Sequence, residues 1–169
     1  MEIIGYKAFK KGLVNKYGAP FELDTVYQKS SDTLKFGENG HGYHMTSKLA
    51  DTFRFFNPTL DNVYCQVMGF GKVVKADDYL YDSDDMYVVE KFKILKVLSR
   101  DDIFEYILNA DVNEFRRILE LYPLTKNELK VLRELVITKD DDFVETFSGA
   151  LERQQGDISS FKRNPKYLR

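Results

Sequence analysis

Residues Phe36–Phe56, FGENGHGYHMTSKLADTFRFF, hold the densest set of groups able to act on a ligand. Gly37, Gly40 and Gly42 let the backbone approach a bound group closely. His41 and His44 can carry a proton or donate a hydrogen bond near neutral pH. Thr46 or Ser47 caps a short helix expected over Ser47–Phe56, and a helix N-terminus attracts anions. The same residues also suit a tight β-turn feeding a strand, with His41 in solvent and His44 hydrogen-bonded at the sheet.

Other chemistries find less support. His41 and His44 are three residues apart, so on a strand they point to opposite faces and suit a metal only in a turn. Asp77, Asp78, Asp82, Asp84 and Asp85 lack the glycine and terminal glutamate of a calcium loop and read as a solvated acidic loop. No metal is therefore expected. Cys65, the one cysteine, lies in NVYCQV, where a small buried side chain is expected rather than a nucleophile. There is no G-x-S-x-G and no G-x-x-x-x-G-K-[ST].

Tyr6-Lys7-Ala8-Phe9, Phe36-Gly37-Glu38-Asn39-Gly40 and Gly42-Tyr43-His44 together resemble an uncharacterised domain of bacterial and phage proteins. That group carries K-A-F, then a C/G-E-x-G-[FY]-H element and a later helix. The resemblance covers about the first hundred residues and implies no established activity. Gly40-His41-Gly42-Tyr43 followed by Ser47-Lys48-Leu49-Ala50 also resembles the G-x-G-x-Y…S-K-x-A element of ADP-ribosyltransferases. This second resemblance implies NAD as cofactor, held by Gly42, Tyr43 and His44, with Tyr43 stacked on nicotinamide and Ser47 beside it. The late catalytic glutamate then falls on Glu90 or in the acidic loop, and holds the ribose while positive charge develops at the anomeric carbon. The family's first strand offers His or Arg to NAD, whereas Gly5–Phe9 offers Tyr6 and Lys7. The expectation is an NAD-cleft domain, active or degenerate. The alternative is a non-catalytic protein-interaction module of bacterial or prophage origin.

The elements that must position these residues change character near Leu98. Before it, period-2 alternation predicts strands at Ile3–Phe9, Phe21–Tyr27, Tyr43–Thr46, Val63–Met68, Lys72–Val74 and Met86–Leu98, with a break at Gly69-Phe70-Gly71. After it, capping residues precede an acid by three at Ser99 and Asp102, Asp111 and Glu114, and Thr125 and Glu128. They predict helices at Arg100–Asn109, Val112–Leu121 and Lys126–Ile137, and a fourth is expected over Asp141–Gln154. The class is α+β: a mainly antiparallel N-terminal sheet domain over residues 1–98, a helical extension over 99–155 and a polar tail over 156–169.

Composition limits the partners. A chain of 169 residues that is 43% hydrophobic builds one ordinary core or a core with a small appendage. The 13 Phe and 11 Tyr, with no Trp, point first to an aromatic core. A formal net charge of −2 gives no field toward nucleic acid. Leu124–Leu132 resembles the opening helix of winged-helix regulators, but Lys139-Asp140-Asp141-Asp142 follows where a basic recognition helix should stand, so nucleic acid is not an expected partner. A protein partner or a homodimer through the helical region is expected instead. MEIIGYKAF has no long apolar stretch, and no run approaches the ~20 apolar residues that span a bilayer, so the expected location is the cytoplasm and no membrane is engaged.

Overall fold

The computed structural model describes residues 1–37, 40–76 and 86–161, with side chains to residue 153. The chain forms two compact units, Met1–Ile103 and Phe104–Arg169. The first holds strands β1 (Glu2–Lys10), β2 (Val26–Gln28), β3 (Tyr43–Thr46), β4 (Asn62–Lys75) and β5 (Met86–Val97), with a one-turn helix α1 (Leu49–Thr52). Helices α2 (Arg100–Asn109), α3 (Val112–Leu121), α4 (Lys126–Val136) and α5 (Asp141–Phe161) follow. This is the antiparallel sheet domain with a helical C-terminal part that the periodicity implies.

All pairings between these five strands are antiparallel, and they close on themselves. β1 pairs β4 without a break from Glu2↔Phe70 to Lys10↔Asn62. β4 pairs β5, β5 pairs β3, and β3 returns to β1 through Tyr6↔Thr46. Four strands thus make a small closed ring, which leaves fewer raw edges than an open sheet. β2 adds beyond β3 on the same side of β5. Closure depends on Gly5: a Cβ there would stand 2.1 Å from the Thr46 carbonyl oxygen, so only glycine lets β1 and β3 meet.

The ring is filled by Phe9, Met45, Cys65, Val67, Val89, Phe92 and Ile94. Phe92 is its hub, with ring centroids 4.9 Å from Tyr43, 5.5 Å from Phe21, 5.7 Å from Tyr27 and 6.4 Å from Phe9. Burying one such ring contributes about 2 kcal/mol, so the aromatic excess is largely a packing device. Cys65 is fully buried, and burial pushes its thiol up to about 12. It is part of the core, not a nucleophile.

Three local expectations change. Phe21–Tyr27 does not form one strand; only Val26–Gln28 pairs with β5. Asp24 adopts φ +56°, which interrupts an extended run, and Phe21 alternates with polar neighbours because its ring enters the core from a loop. The helix expected over Ser47–Phe56 shrinks to Leu49–Thr52. Thr46 stays in β3 and its hydroxyl donates to the Lys48 carbonyl at 2.7 Å instead of capping. One turn of helix has no useful dipole to offer an anion. Finally, Gly69-Phe70-Gly71 does not break the strand: β4 runs through it with a register shift between Phe70 and Val73.

In the second unit α5 packs against α3 and α4 around Phe115, Ile118, Leu119, Leu132, Val136 and Phe147. The caps sit where the spacing puts them. Asp111 accepts from the N–H groups of Asn113 and Glu114, and Thr125 and Glu128 form a reciprocal capping box. α5 continues past Gln154 to Phe161, taking in the start of the expected polar tail; residues 162–169 lie outside the described residues. No described helix is long and apolar enough to cross a membrane.

Candidate functional site

A cleft of about 770 Å³ opens on the first unit. β1 contributes Tyr6, Lys7 and Ala8 to its wall. The segment before β2 contributes Asn15, Lys16, Tyr17 and Phe21, and Tyr27 and Lys29 follow. Phe36, Gly37, Gly40, Gly42, Tyr43 and His44 form another side, with Phe55 and Phe56 beyond α1. The walls are rich in Tyr and Phe, and three lysines enter them. None of the described lining residues is Asp or Glu.

The glycine turn exists to seat His44. Lys35 and His41 exchange two backbone hydrogen bonds of 2.9 Å, and the Gly40 N–H donates to the Gly37 carbonyl at 3.0 Å. A Cβ at Gly40 would lie 2.2 Å from the Lys35 carbonyl oxygen and 3.0 Å from His44 Nε2. The Gly37 N–H donates to His44 Nε2 at 3.3 Å, and the Phe36 ring lies 5.0 Å from the imidazole. His44 Nε2 is therefore an acceptor, and the ring proton resides on Nδ1. Burial, then the charges of Lys7, Lys29 and Lys16, hold the imidazole down to about 4, so it is neutral at physiological pH.

Lys7 has an equally specific place. It is half-buried on β1, and its Nζ donates to the His44 carbonyl oxygen at 2.6 Å. Burial, and then the charge of Lys29, bring it down to about 8. Lys29 Nζ lies 5.1 Å from the centroid of the Tyr43 ring and 3.5 Å from the Gly42 carbonyl oxygen. The Tyr43 hydroxyl is pushed up by burial and by Tyr27, so it remains protonated. The cleft thus offers cations, a neutral imidazole and flat ring faces. That set favours an organic anion with a planar portion.

Of the residues singled out by sequence, Gly42, Tyr43 and His44 meet in this cleft. Ser47 and Glu90 do not line it. Ser47 is half-buried in the bend after β3. Glu90 is held at the β4 bulge, where its carboxylate accepts from the Lys72 N–H at 3.0 Å and from Gln28 Nε2 at 3.1 Å. Residues 77–85, the acidic segment, lie outside the described residues. Among the described residues no group of three or more His, Cys, Asp or Glu could hold a metal ion. Sequence reasoning missed Lys16, Lys29 and Tyr27, and met Lys7 only in the Lys7-Ala8-Phe9 motif and as what stands where His or Arg is offered to NAD. One signal was available for Lys7: a lysine set between aromatic and small residues in a strand that also carries the core Phe9.

The chain belongs to a family described as a domain of unknown function, DUF7666, whose match spans residues 3–106. All five strands, save Glu2 at the start of β1, and every described lining residue of the cleft fall within that span. No curated protein and no solved structure matches the chain.

Proposed function

We propose that the N-terminal domain binds a small organic anion with a flat ring, a nucleotide of the NAD class, in the cleft of Lys7, Lys16, Lys29, Tyr43 and His44. The single observation that carries this reading is charge imbalance: three lysines among aromatic walls, with no carboxylate among the described lining residues. An anion entering such a site gains charge-assisted hydrogen bonds of about 2 kcal/mol each. Tyr43 supplies a ring face, as its resemblance to the nicotinamide-stacking tyrosine implies. Ribosyl transfer would need a carboxylate at the anomeric carbon, and Glu90 is engaged elsewhere by Lys72 and Gln28. The reading is therefore an NAD cleft that binds through its lysines and rings; the acidic segment, the other place for a carboxylate, lies outside the described residues.

Thermal melts of the full chain test it. NAD, ADP-ribose and ADP should each be tried at millimolar concentration. A ligand at 100 times its Kd adds about 2.7 kcal/mol of stability by mass action. The expected result is a melting temperature that climbs with the logarithm of ligand concentration and stops climbing in the Lys16→Ala/Lys29→Ala variant. No shift with any of the three would sink the reading.

A second reading concerns the helical unit, which exposes Leu121, Val131, Ile137 and Val144. A protein partner or a second copy would cover such residues. Light scattering showing a strict monomer at high concentration would remove the homodimer form of this reading.

A further inference from the structure

We infer that Lys7 is a reactive amine that captures carbonyl compounds bearing an anionic group as a reversible imine inside this cleft. The inference rests on the cleft reading above, and adds to it a covalent chemistry and a substrate class.

An ordinary lysine does this poorly near neutral pH, because its amine is almost wholly protonated and pairs with a carboxylate or with water. Lysines elsewhere in the same unit show the ordinary pattern. Lys93 Nζ lies 3.3 Å from Asp24, and Lys96 Nζ lies 2.6 Å from Asp102. Lys7 has no carboxylate partner among the described residues. It has one carbonyl oxygen, that of His44, as hydrogen-bond acceptor. It also has Lys29 close enough to repel its charge. A cation placed so is less favoured than one in water, and it gives up its proton more readily than an ordinary lysine. Near pH 8, about the value at which Lys7 gives up its proton, a large fraction of the chain carries a free amine. The His44 carbonyl accepts one N–H and so fixes the amine without consuming its lone pair.

The chemistry balances without a further reactant. The Nζ lone pair adds to the carbonyl carbon, and the carbonyl π electrons move to oxygen, which takes up a proton. The resulting carbinolamine loses that oxygen as water, with a proton from nitrogen, and leaves the C=N bond. Net, an aldehyde and a lysine amine give an imine and one water, and water reverses the step. Nothing is oxidised or reduced. Lys16 and Lys29 are the cations left to hold the anionic group, and Tyr27 and Tyr43 flank whatever planar portion lies between.

Pyridoxal 5′-phosphate is a fitting probe, since it joins an aldehyde, a planar ring and a phosphate. The full chain is incubated with it at pH 7 to 9, reduced with borohydride and digested, and the labelled peptides are identified by mass spectrometry. The expected result is predominant labelling of Lys7 at low probe concentration. Its yield should rise with a midpoint near pH 8, while ordinary lysines keep rising toward 10.5. Lys16→Ala/Lys29→Ala should raise the half-saturating probe concentration roughly thirtyfold for each charge-assisted hydrogen bond lost. Lys7→Arg and Lys7→Met, each checked for a cooperative melt, should lose the label. Labelling spread over exposed lysines, with Lys7 no more reactive than they are, would overturn the inference. Pyridoxamine 5′-phosphate, which has no aldehyde, separates the two claims. If it and ADP bind while Lys7 stays unlabelled, the imine chemistry fails and the binding cleft stands. If neither binds while Lys7 is labelled selectively, the reactive amine stands and the nucleotide reading fails.

Discussion

Glu90 and Lys7 are both charged side chains on ring strands, yet their surroundings treat charge in opposite ways. The Glu90 carboxylate is met by the Lys72 N–H, by the Gln28 amide and, at 3.9 Å, by Lys91 Nζ. Gly71, at φ +80°, brings the bulge close enough for that. Lys7 meets one carbonyl oxygen, the Phe9 ring with its centroid 5.8 Å away, and the repulsion of a second lysine, and has no carboxylate partner among the described residues. A satisfied charge makes a joint between strands. An unsatisfied one among ring faces makes a place for something else. The acid that sequence resemblance nominates bonds across strands, and the proposed site lies with the cations.

Glycine substitutions break this contrast most sharply. Gly42 is buried at φ +119°, and a Cβ would stand 2.4 Å from Val88 Cγ2 and 2.8 Å from Leu34 Cδ2. Gly42→Ala should destabilise by about 3 kcal/mol, from overpacking and backbone strain together, in urea unfolding. It should also abolish ligand-induced stabilisation, because the Tyr43–His44 side of the cleft moves. A loss under about 1 kcal/mol would mean that the turn is softer than described. At Gly71 the first atom met is the Glu90 carboxylate oxygen, at 2.6 Å on a side chain that can swing away. Gly71→Ala should cost about half as much and leave ligand binding intact.

Acid sharpens the contrast next. His44 in the folded chain is held at about 4, against a usual value of 6.5. The unfolded chain thus takes up a proton first as pH falls. Stability contributed by the neutral imidazole is present above pH 6.5 and is lost on the way down to about 4. The full shift would be about 3 kcal/mol; partial exposure reduces this to about 2 kcal/mol. Urea midpoints of wild type and His44→Gln measured across that range should converge as pH drops. Parallel curves would show that His44 carries no such penalty.

Glu90→Gln gives the smallest effect. It keeps an acceptor oxygen for the Lys72 N–H and loses charge assistance, so a loss of about 1 kcal/mol is expected by chemical denaturation. Ligand-induced stabilisation should be unchanged. A variant that folds normally but no longer responds to NAD or ADP would return Glu90 to the site.

Much of the frame was legible because it is local. Thr125 with Glu128, and Asp111 with Glu114, announce helices through neighbours three residues away, and the structure places α3 and α4 there. Tyr43–Thr46 was bounded by its glycines in the same way. The failures are places where distant contacts decide. Phe21 mimics a strand residue because Phe9 and Phe92 bury it from afar. Thr46 is not a cap because β3 still needs it for its pairing with Met86 and Tyr6. Lys7 could be read as a lysine on a strand, but not as a lysine beside Lys29 and the His44 carbonyl. Those neighbours arrive from 22 and 37 residues away, the latter the separation of the Lys7–His44 hydrogen bond. The cationic character of the cleft is a product of closure of the ring, so no single segment displays it.

The most direct measurement is a two-dimensional amide NMR titration of the full chain with ADP. The account predicts saturable shifts concentrated at Lys7, Lys16, Lys29, Gly37, Gly40, Tyr43 and His44, with Gln28, Lys72 and Glu90 much less affected. Shifts centred on the Glu90 corner or the helical unit, or none at millimolar ADP, would contradict it.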